Sequence, residues 1–193
     1  GGRGASSLET AMLGGIAHLV NFMGTDTLPA ISAAKQFYHE DMAGFSIPAA
    51  EHSTITSWGR EHELDAYQNM LTQFGGKGKI LAVVSDSYDL WEAIDHLWGD
   101  KLKDEVMNNG ACLVVRPDSG DPASIVTECI ERLMKRFGYT VNSKGYRVLP
   151  DYIRVIQGDG VDYESIGTCL AAIKDKNQST ENITFGMGGA LLQ

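Results

Sequence analysis

Ala111-Cys112-Leu113-Val114-Val115 runs directly into Arg116-Pro117-Asp118-Ser119-Gly120-Asp121-Pro122. Five successive apolar residues predict a buried strand, and the prolines, acids and glycine behind them have to leave the sheet. A cation and several carboxylates are thereby delivered to the C-terminal end of a strand. That is the end at which parallel α/β folds gather their βα loops and bind ligands. Arg116 suits a phosphate, gripped in a fork, and Asp118 or Asp121 suits a hydroxyl or a magnesium ion. The same stretch is also good turn chemistry, in which Asp121 before Pro122 simply caps the next helix.

Working outward, the pattern repeats. Lys79 to Val84 predicts a strand closed by Ser85-Asp86-Ser87-Tyr88-Asp89, and Tyr152 to Gln157 predicts one followed by Gly158-Asp159-Gly160-Val161-Asp162. Ile16 to Phe22 reads as an earlier strand leaving through Gly24-Thr25-Asp26, and Asn182 to Phe185 as a last one leading to Gly186-Met187-Gly188-Gly189. Helical spacing covers Leu28 to Tyr38, then Ile55 to Phe74 with a break at Gly59, and Tyr88 to Trp98 ended by Gly99. It returns over Pro122 to Phe137 and Glu164 to Lys174, while Ser6 with Glu9 predicts a capping box at the first helix start. Gly138 to Leu149 is polar and turn-rich, an excursion between elements.

Five or six strands alternating with helices predict an α/β fold with parallel strands, and residues 1–193 read as one domain. No Gly-x-Gly-x-x-Gly opens a helix at dinucleotide spacing, and no Walker lysine loop is present, so a partial (β/α) barrel is favoured over a Rossmann domain. The chain starts Gly1-Gly2-Arg3-Gly4 without Met and stops soon after Gly189, which reads as a piece of a longer protein.

Charge and cysteines bound the function. With 16 Lys and Arg against 25 Asp and Glu, the net charge of −9 argues against a nucleic-acid or anionic-membrane surface, so any anion site has to be a local arginine cluster. Cys112, Cys129 and Cys169 are odd in number and widely spaced, which fits neither a disulfide framework nor a zinc site and suits a reducing, cytoplasmic setting. No apolar run approaches the length of a membrane span. Arg3 and Arg116 for phosphates, with Asp26, Asp86, Asp118 and Asp159 for metal or hydroxyls, together suit a phosphorylated sugar.

These motifs, in one order and nearly end to end, resemble the nicotinamide phosphoribosyltransferase family. The resemblance rests on Arg3-Gly4, Asn21-Phe22-x-Gly24-Thr25-Asp26, Pro48-Ala49-Ala50-Glu51-His52-Ser53-Thr54, Val84-Ser85-Asp86-Ser87-Tyr88-Asp89, Arg116-Pro117-Asp118-Ser119-Gly120, Asn142-Ser143-Lys144-Gly145-Tyr146, Val155-Ile156-Gln157-Gly158-Asp159-Gly160 and Phe185-Gly186-x-Gly188-Gly189. It implies a barrel of the type II phosphoribosyltransferase kind. The implied reaction moves phosphoribose from phosphoribosyl pyrophosphate to nicotinamide, giving nicotinamide mononucleotide and pyrophosphate for NAD salvage.

By the same resemblance, Arg3 and Arg116 contact phosphate groups, with Arg116 also beside nicotinamide. Asp118, Gly158, Asp159, Gly188 and Gly189 hold the ribose and phosphate. Asp26 and Ser46 meet the substrate amide, and Glu51, Asp86 and Asp118 surround Mg²⁺. His52 is implied to be phosphorylated by ATP, a co-substrate, and the family is a homodimer. Catalysis would fall to His52, Arg116 and Asp118. The resemblance also implies residues outside this chain: an aromatic that stacks on nicotinamide before Gly1, and a phosphate-binding arginine after Gln193. Met187 stands where a small residue is usual.

Three other readings stay open. Nicotinate phosphoribosyltransferase shares the fold and chemistry, and Asp26 speaks against it, because a carboxylate repels nicotinate. A phosphosugar aldolase wants a lysine at a strand end, and none is found there. A nucleotide-binding piece without turnover is the non-enzymatic alternative.

Overall fold

Four of the apolar runs form one parallel sheet in a computed structural model that describes residues 2 and 4–192. Its strands are β1 (Ile80–Val84), β2 (Cys112–Arg116), β5 (Ile153–Gln157) and β6 (Ile183–Phe185), in the order β1-β2-β5-β6. Each strand lies beside the next of the sheet, with no reversal of order, as a segment of a (β/α) barrel requires and a doubly wound sheet does not. Parallel pairing demands long crossovers, and the helices between strands supply them. Beyond β1, Pro48 to Ala50 adds a short parallel bridge, with the Ala50 N–H on the Ala82 carbonyl at 2.9 Å and the Ala82 N–H on the Pro48 carbonyl at 2.9 Å. The α/β expectation is met. The structure divides into two compact units, and this sheet lies in the larger, Pro48–Asp159 with Tyr163–Gly186.

The core of that unit follows from alternation and helical period. Leu81, Val83, Leu113, Val115, Ile153 and Val155 are fully buried strand residues. Helix α7 (Pro122–Phe137) covers them with Val126, Cys129, Ile130, Leu133 and Met134, the stripe that its spacing predicts. Asp121 caps α7 by accepting from the Ser124 N–H at 2.9 Å, and Pro122 occupies the first turn, where no N–H is needed. Helices α3 (His52–Thr56) and α4 (Glu63–Phe74) are separated by a 3₁₀ turn at Arg60–His62, close to the break expected at Gly59. Helix α8 (Tyr163–Asp175) packs on α7. The excursion after α7 contains a small antiparallel hairpin, β3 (Thr140–Val141) with β4 (Arg147–Val148).

Gly99 does not end a helix. After α5 (Leu90–Glu92) the chain continues as a π-helical segment over Ala93–Lys101 and then α6 (Lys103–Asn108). A Cβ at position 99 would lie 2.6 Å from Arg136 Cγ and 2.7 Å from the Ile94 carbonyl oxygen, so this glycine serves close packing against α7. Arg116, expected to leave the sheet, is instead the last residue of β2 and pairs with Val84.

The smaller unit comprises Gly1–Ile47, Gly160–Asp162 and Met187–Gln193. Here the predicted strand over Ile16 to Phe22 is overturned, because Ile16 to Leu19 continue α1 (Leu8–Leu19). Within α1, a Cβ on Gly15 would sit 2.5 Å from Ala30 Cβ: the glycine lets α1 approach α2 (Leu28–Ala33). The α1 cap is also one residue later than expected. Ser7 accepts from the Thr10 N–H at 3.0 Å, while Ser6 meets the Thr10 hydroxyl. A π-helical turn over Ala34–Tyr38 follows α2, and α9 (Gly189–Leu192) packs on α1. Among the described residues no helix is long and apolar enough to cross a membrane.

Ile130 is fully buried in the α7 stripe, so Ile130→Ala is expected to cost about 2–5 kcal/mol in urea unfolding. A loss below about 1 kcal/mol would mean that α7 does not seal the sheet.

Candidate active site

Strand β1 ends in Val84 and delivers Asp86 two residues later, with only 4% of its side chain exposed. Its two oxygens have different partners. Oδ1 lies 2.9 Å from His52 Nε2, whereas Oδ2 accepts from the Ser119 hydroxyl at 2.6 Å and from the Asp118 N–H at 3.1 Å. Burial by itself would raise the Asp86 pKa. The hydrogen bonds from Ser119, His52 and the Asp118 N–H outweigh it and hold the carboxyl below the ordinary carboxylate value. An ionised Asp86 only accepts, so His52 donates from Nε2, and in the neutral imidazole this leaves the lone pair on Nδ1.

His52 is the first residue of α3, set there by a reciprocal cap in which the Glu51 side chain meets the Thr54 N–H and Thr54 Oγ1 accepts from the Glu51 N–H at 3.3 Å. Beside it, Arg116 at the end of β2 forks onto Asp118, Nε to Oδ1 at 3.2 Å and Nη2 to Oδ2 at 2.9 Å. Its Nη1 donates to Glu51 Oε1 at 3.1 Å. The guanidinium is thus an anion-holding group already oriented by two carboxylates, with 19% of its side chain exposed. Gly158, one residue past β5, brings backbone against this pair: a Cβ there would lie 3.8 Å from Asp118 Oδ1 and 3.9 Å from Arg116 Nε. The buried Gln157 amide donates to the Asp159 carbonyl at 2.8 Å and sets that loop.

Glu51, His52, Asp86, Arg116, Asp118, Gly158 and Asp159 therefore share the C-terminal end of one sheet. Asp26 and Ser46 belong to the smaller unit, where the Ser46 hydroxyl donates to Asp26 Oδ1. Gly188 and Gly189 are also in that unit, and Arg3 lies outside the described residues. Sequence reasoning missed Ser119 and Gln157 as supports. Both sit inside quoted motifs, but only pairing between distant segments shows what they hold.

The donor set fits Mg²⁺ in kind, since carboxylate oxygens are its usual ligands and the ion retains waters and substrate phosphates. Among the described residues no group of three or more His, Cys, Asp or Glu is gathered as a ready-made metal cage. Glu51 and Asp118 face Arg116, and Asp86 is engaged by His52 and Ser119. All three cysteines are free, and burial pushes their thiols up, which disfavours the thiolate.

The model of the nicotinate phosphoribosyltransferase (NAPRTase) family matches residues 1–193. A nicotinamide phosphoribosyltransferase of Xanthomonas campestris pv. campestris (strain 8004) is 58% identical over 193 residues, covering 100% of this chain and 41% of that protein. A protein of the same name from Mycoplasma pneumoniae is 36% identical over 99% of this chain and 42% of its own length. One from Acinetobacter baylyi is 31% identical over 96% of this chain and 40% of its own length. The chain spans about two fifths of the length of the curated relatives it matches.

Because its folded-state pKa is depressed, Asp86 contributes stability that is present above the unfolded carboxylate value of about 3.9 and is lost as pH falls through the depressed value. Asp86→Asn removes that contribution. The urea midpoint of the wild type is expected to exceed that of the variant at neutral pH, with the gap closing below about pH 4. A gap that stays constant down to about pH 2 would show that Asp86 has no depressed pKa.

Proposed function

The chain belongs to the nicotinate phosphoribosyltransferase family, and from that premise we propose that the protein transfers phosphoribose from phosphoribosyl pyrophosphate to nicotinamide. The products are nicotinamide mononucleotide and pyrophosphate. The observation that carries this reading is the cluster at the strand ends, a forked Arg116 beside Asp118 and an Asp86-held His52, in a chain 58% identical throughout to a relative named nicotinamide phosphoribosyltransferase.

In the proposed reaction the pyridine nitrogen of nicotinamide attacks C1 of the ribose, the bond from C1 to the pyrophosphate oxygen breaks, and pyrophosphate departs. Charge builds on the leaving group and on an oxocarbenium-like ribose, so preplaced charges set the rate. Arg116 exchanges a carboxylate partner for phosphate oxygens, and Asp118 is then freed toward the ribose hydroxyls. Gly158 and Asp159 bring backbone to the nucleotide. Asp86, Asp118 and Glu51 are the residues that would hold Mg²⁺, which would supply further neutralisation of the pyrophosphate.

His52 is the proposed phosphoryl acceptor. With Nε2 donated to Asp86, the Nδ1 lone pair attacks the γ-phosphorus of ATP, the bond to the bridging oxygen breaks, and ADP leaves. Hydrolysis of the phosphohistidine then couples ATP to forward flux. A homodimer and a reducing, cytoplasmic setting complete the proposal, the latter consistent with three free thiols.

The nicotinate-using alternative differs at one place. Asp26, paired with the Ser46 hydroxyl, accepts from the nicotinamide amide and repels the carboxylate of nicotinate. Asp26→Asn is expected to raise the kcat/KM ratio of nicotinate to nicotinamide by roughly tenfold or more. An unchanged ratio would remove Asp26 from substrate choice.

The reaction itself is tested by following nicotinamide mononucleotide from nicotinamide, phosphoribosyl pyrophosphate, Mg²⁺ and ATP. The assay uses this chain and the Xanthomonas relative carrying this chain in place of its matching segment. Product from either, with acid-labile phosphate on His52 after ATP, is the expected outcome. Nucleotide bound without product by both folded proteins would favour the binding-only reading.

A further inference from the structure

We propose that Trp98 is a positioning residue for the Asp86–His52 pair and acts through the hydroxyl of Ser85. Ser85 is the hinge between β1 and Asp86, and it is fully buried. Its N–H donates to the Arg116 carbonyl at 2.9 Å, extending the β1–β2 ladder past the last paired residues. Its hydroxyl donates to the Val83 carbonyl at 3.0 Å and accepts from Trp98 Nε1–H at 3.1 Å. Backbone and side chain of this one residue are thus tied separately, and Trp98 supplies the N–H that meets the Ser85 hydroxyl, beside that hydroxyl's bonds to the Val83 carbonyl and the Tyr67 hydroxyl.

Trp98 is itself held on the far side. The indole, fully buried, stacks on Tyr67 with ring centroids 4.4 Å apart and planes 10° from parallel. The Tyr67 hydroxyl donates to Glu63 Oε1 at 2.8 Å, which fixes the phenol and with it the plane of the stack. A polar line therefore runs from Glu63 at the start of α4, through two stacked rings, to the residue next to Asp86. Packing alone does not call for it, since an apolar ring would fill the position of Trp98 without an N–H that must find an acceptor. Trp98 lies in the π-helical segment Ala93–Lys101, and departures from α-helical register of this kind concentrate near functional sites.

The consequence is geometric. Asp86 has to present Oδ1 to His52 while Oδ2 meets Ser119 and the Asp118 N–H, an alignment that tolerates little movement at its own backbone. Freed from the indole, the Ser85 hydroxyl can leave the Val83 carbonyl, and the strand end loses part of its side-chain anchoring.

This inference rests on the proposed function only in taking His52 as the working imidazole of the site, and its test does not use turnover. The tautomer of His52 is read from long-range ¹H–¹⁵N correlations of the imidazole at mildly alkaline pH, with the signal assigned by its loss in His52→Gln. The Nε2–H form is expected to dominate in the wild type. Trp98→Phe keeps the stacked ring and deletes the N–H, and it is expected to lower the ratio of Nε2–H to Nδ1–H by roughly fivefold. Ser85→Ala is expected to do the same. Trp91→Phe, on a ring that lies under Arg132, should leave the ratio unchanged. An unchanged ratio in folded Trp98→Phe, or in Ser85→Ala should the first variant not fold, overturns the proposal. Absence of product in the assay above, with the tautomer shift present, would overturn the reaction and leave the positioning role standing.

Discussion

The parallel pairing of β1 with β2 is the constraint on which the candidate site depends. Val84 opposite Arg116 sets the register, and it places Ser85-Asp86 beside Asp118-Ser119 although more than thirty residues separate them in the chain. A slip of one residue would turn Asp86 to the opposite face of the sheet, because side chains alternate. The strands are buried on both faces, with Leu81, Val83, Leu113 and Val115 on one and Ala82, Val84 and Val114 on the other. Core packing and site geometry are therefore one requirement.

Electrostatically, the cluster is a set of charges held in reserve. Arg116 is partly buried and keeps its charge compensated by Asp118 and Glu51. Leaving it alone there would cost several kcal/mol, about the penalty for an unpaired buried ion. An incoming phosphate offers the same fork geometry as the carboxylates it displaces, so exchange requires little reorganisation of the guanidinium. Asp86 is arranged differently, with both oxygens occupied and one pointing a histidine. The two aspartates thus divide the labour, Asp118 with the arginine and Asp86 with the imidazole.

The motif order was legible in the chain, and so were the strands that deliver Asp86, Asp118 and Asp159, because apolar runs followed by glycine or acid have few other interpretations. What misled was glycine. At Gly99 it reads as a helix end, and there, as at Gly15 within α1, it is a contact surface between helices. Local sequence does not distinguish a glycine needed for its backbone freedom from one needed for its missing Cβ. The second kind is defined by a neighbour remote in sequence, Ala30 for Gly15 and Arg136 for Gly99.

By itself the sequence determined the class of the fold, the strand-end placement of Asp86, Asp118, Asp159 and Arg116, and the family to which the motifs belong. The first two depend on residue type and short-range periodicity, and the family on many motifs standing in one order. Only the tertiary structure decided how those groups are partnered: that Asp86 orients His52, that Ser119 and the Asp118 N–H take its other oxygen, and that Arg116 is shared between Asp118 and Glu51. It also revealed the buried line from Glu63 through Tyr67 and Trp98 to Ser85, whose members look like ordinary core residues along the chain. The physical reason is that hydrogen bonds act over about 3 Å with demanding direction, and the segments supplying these atoms meet only when strands and helices from distant parts of the sequence pack together.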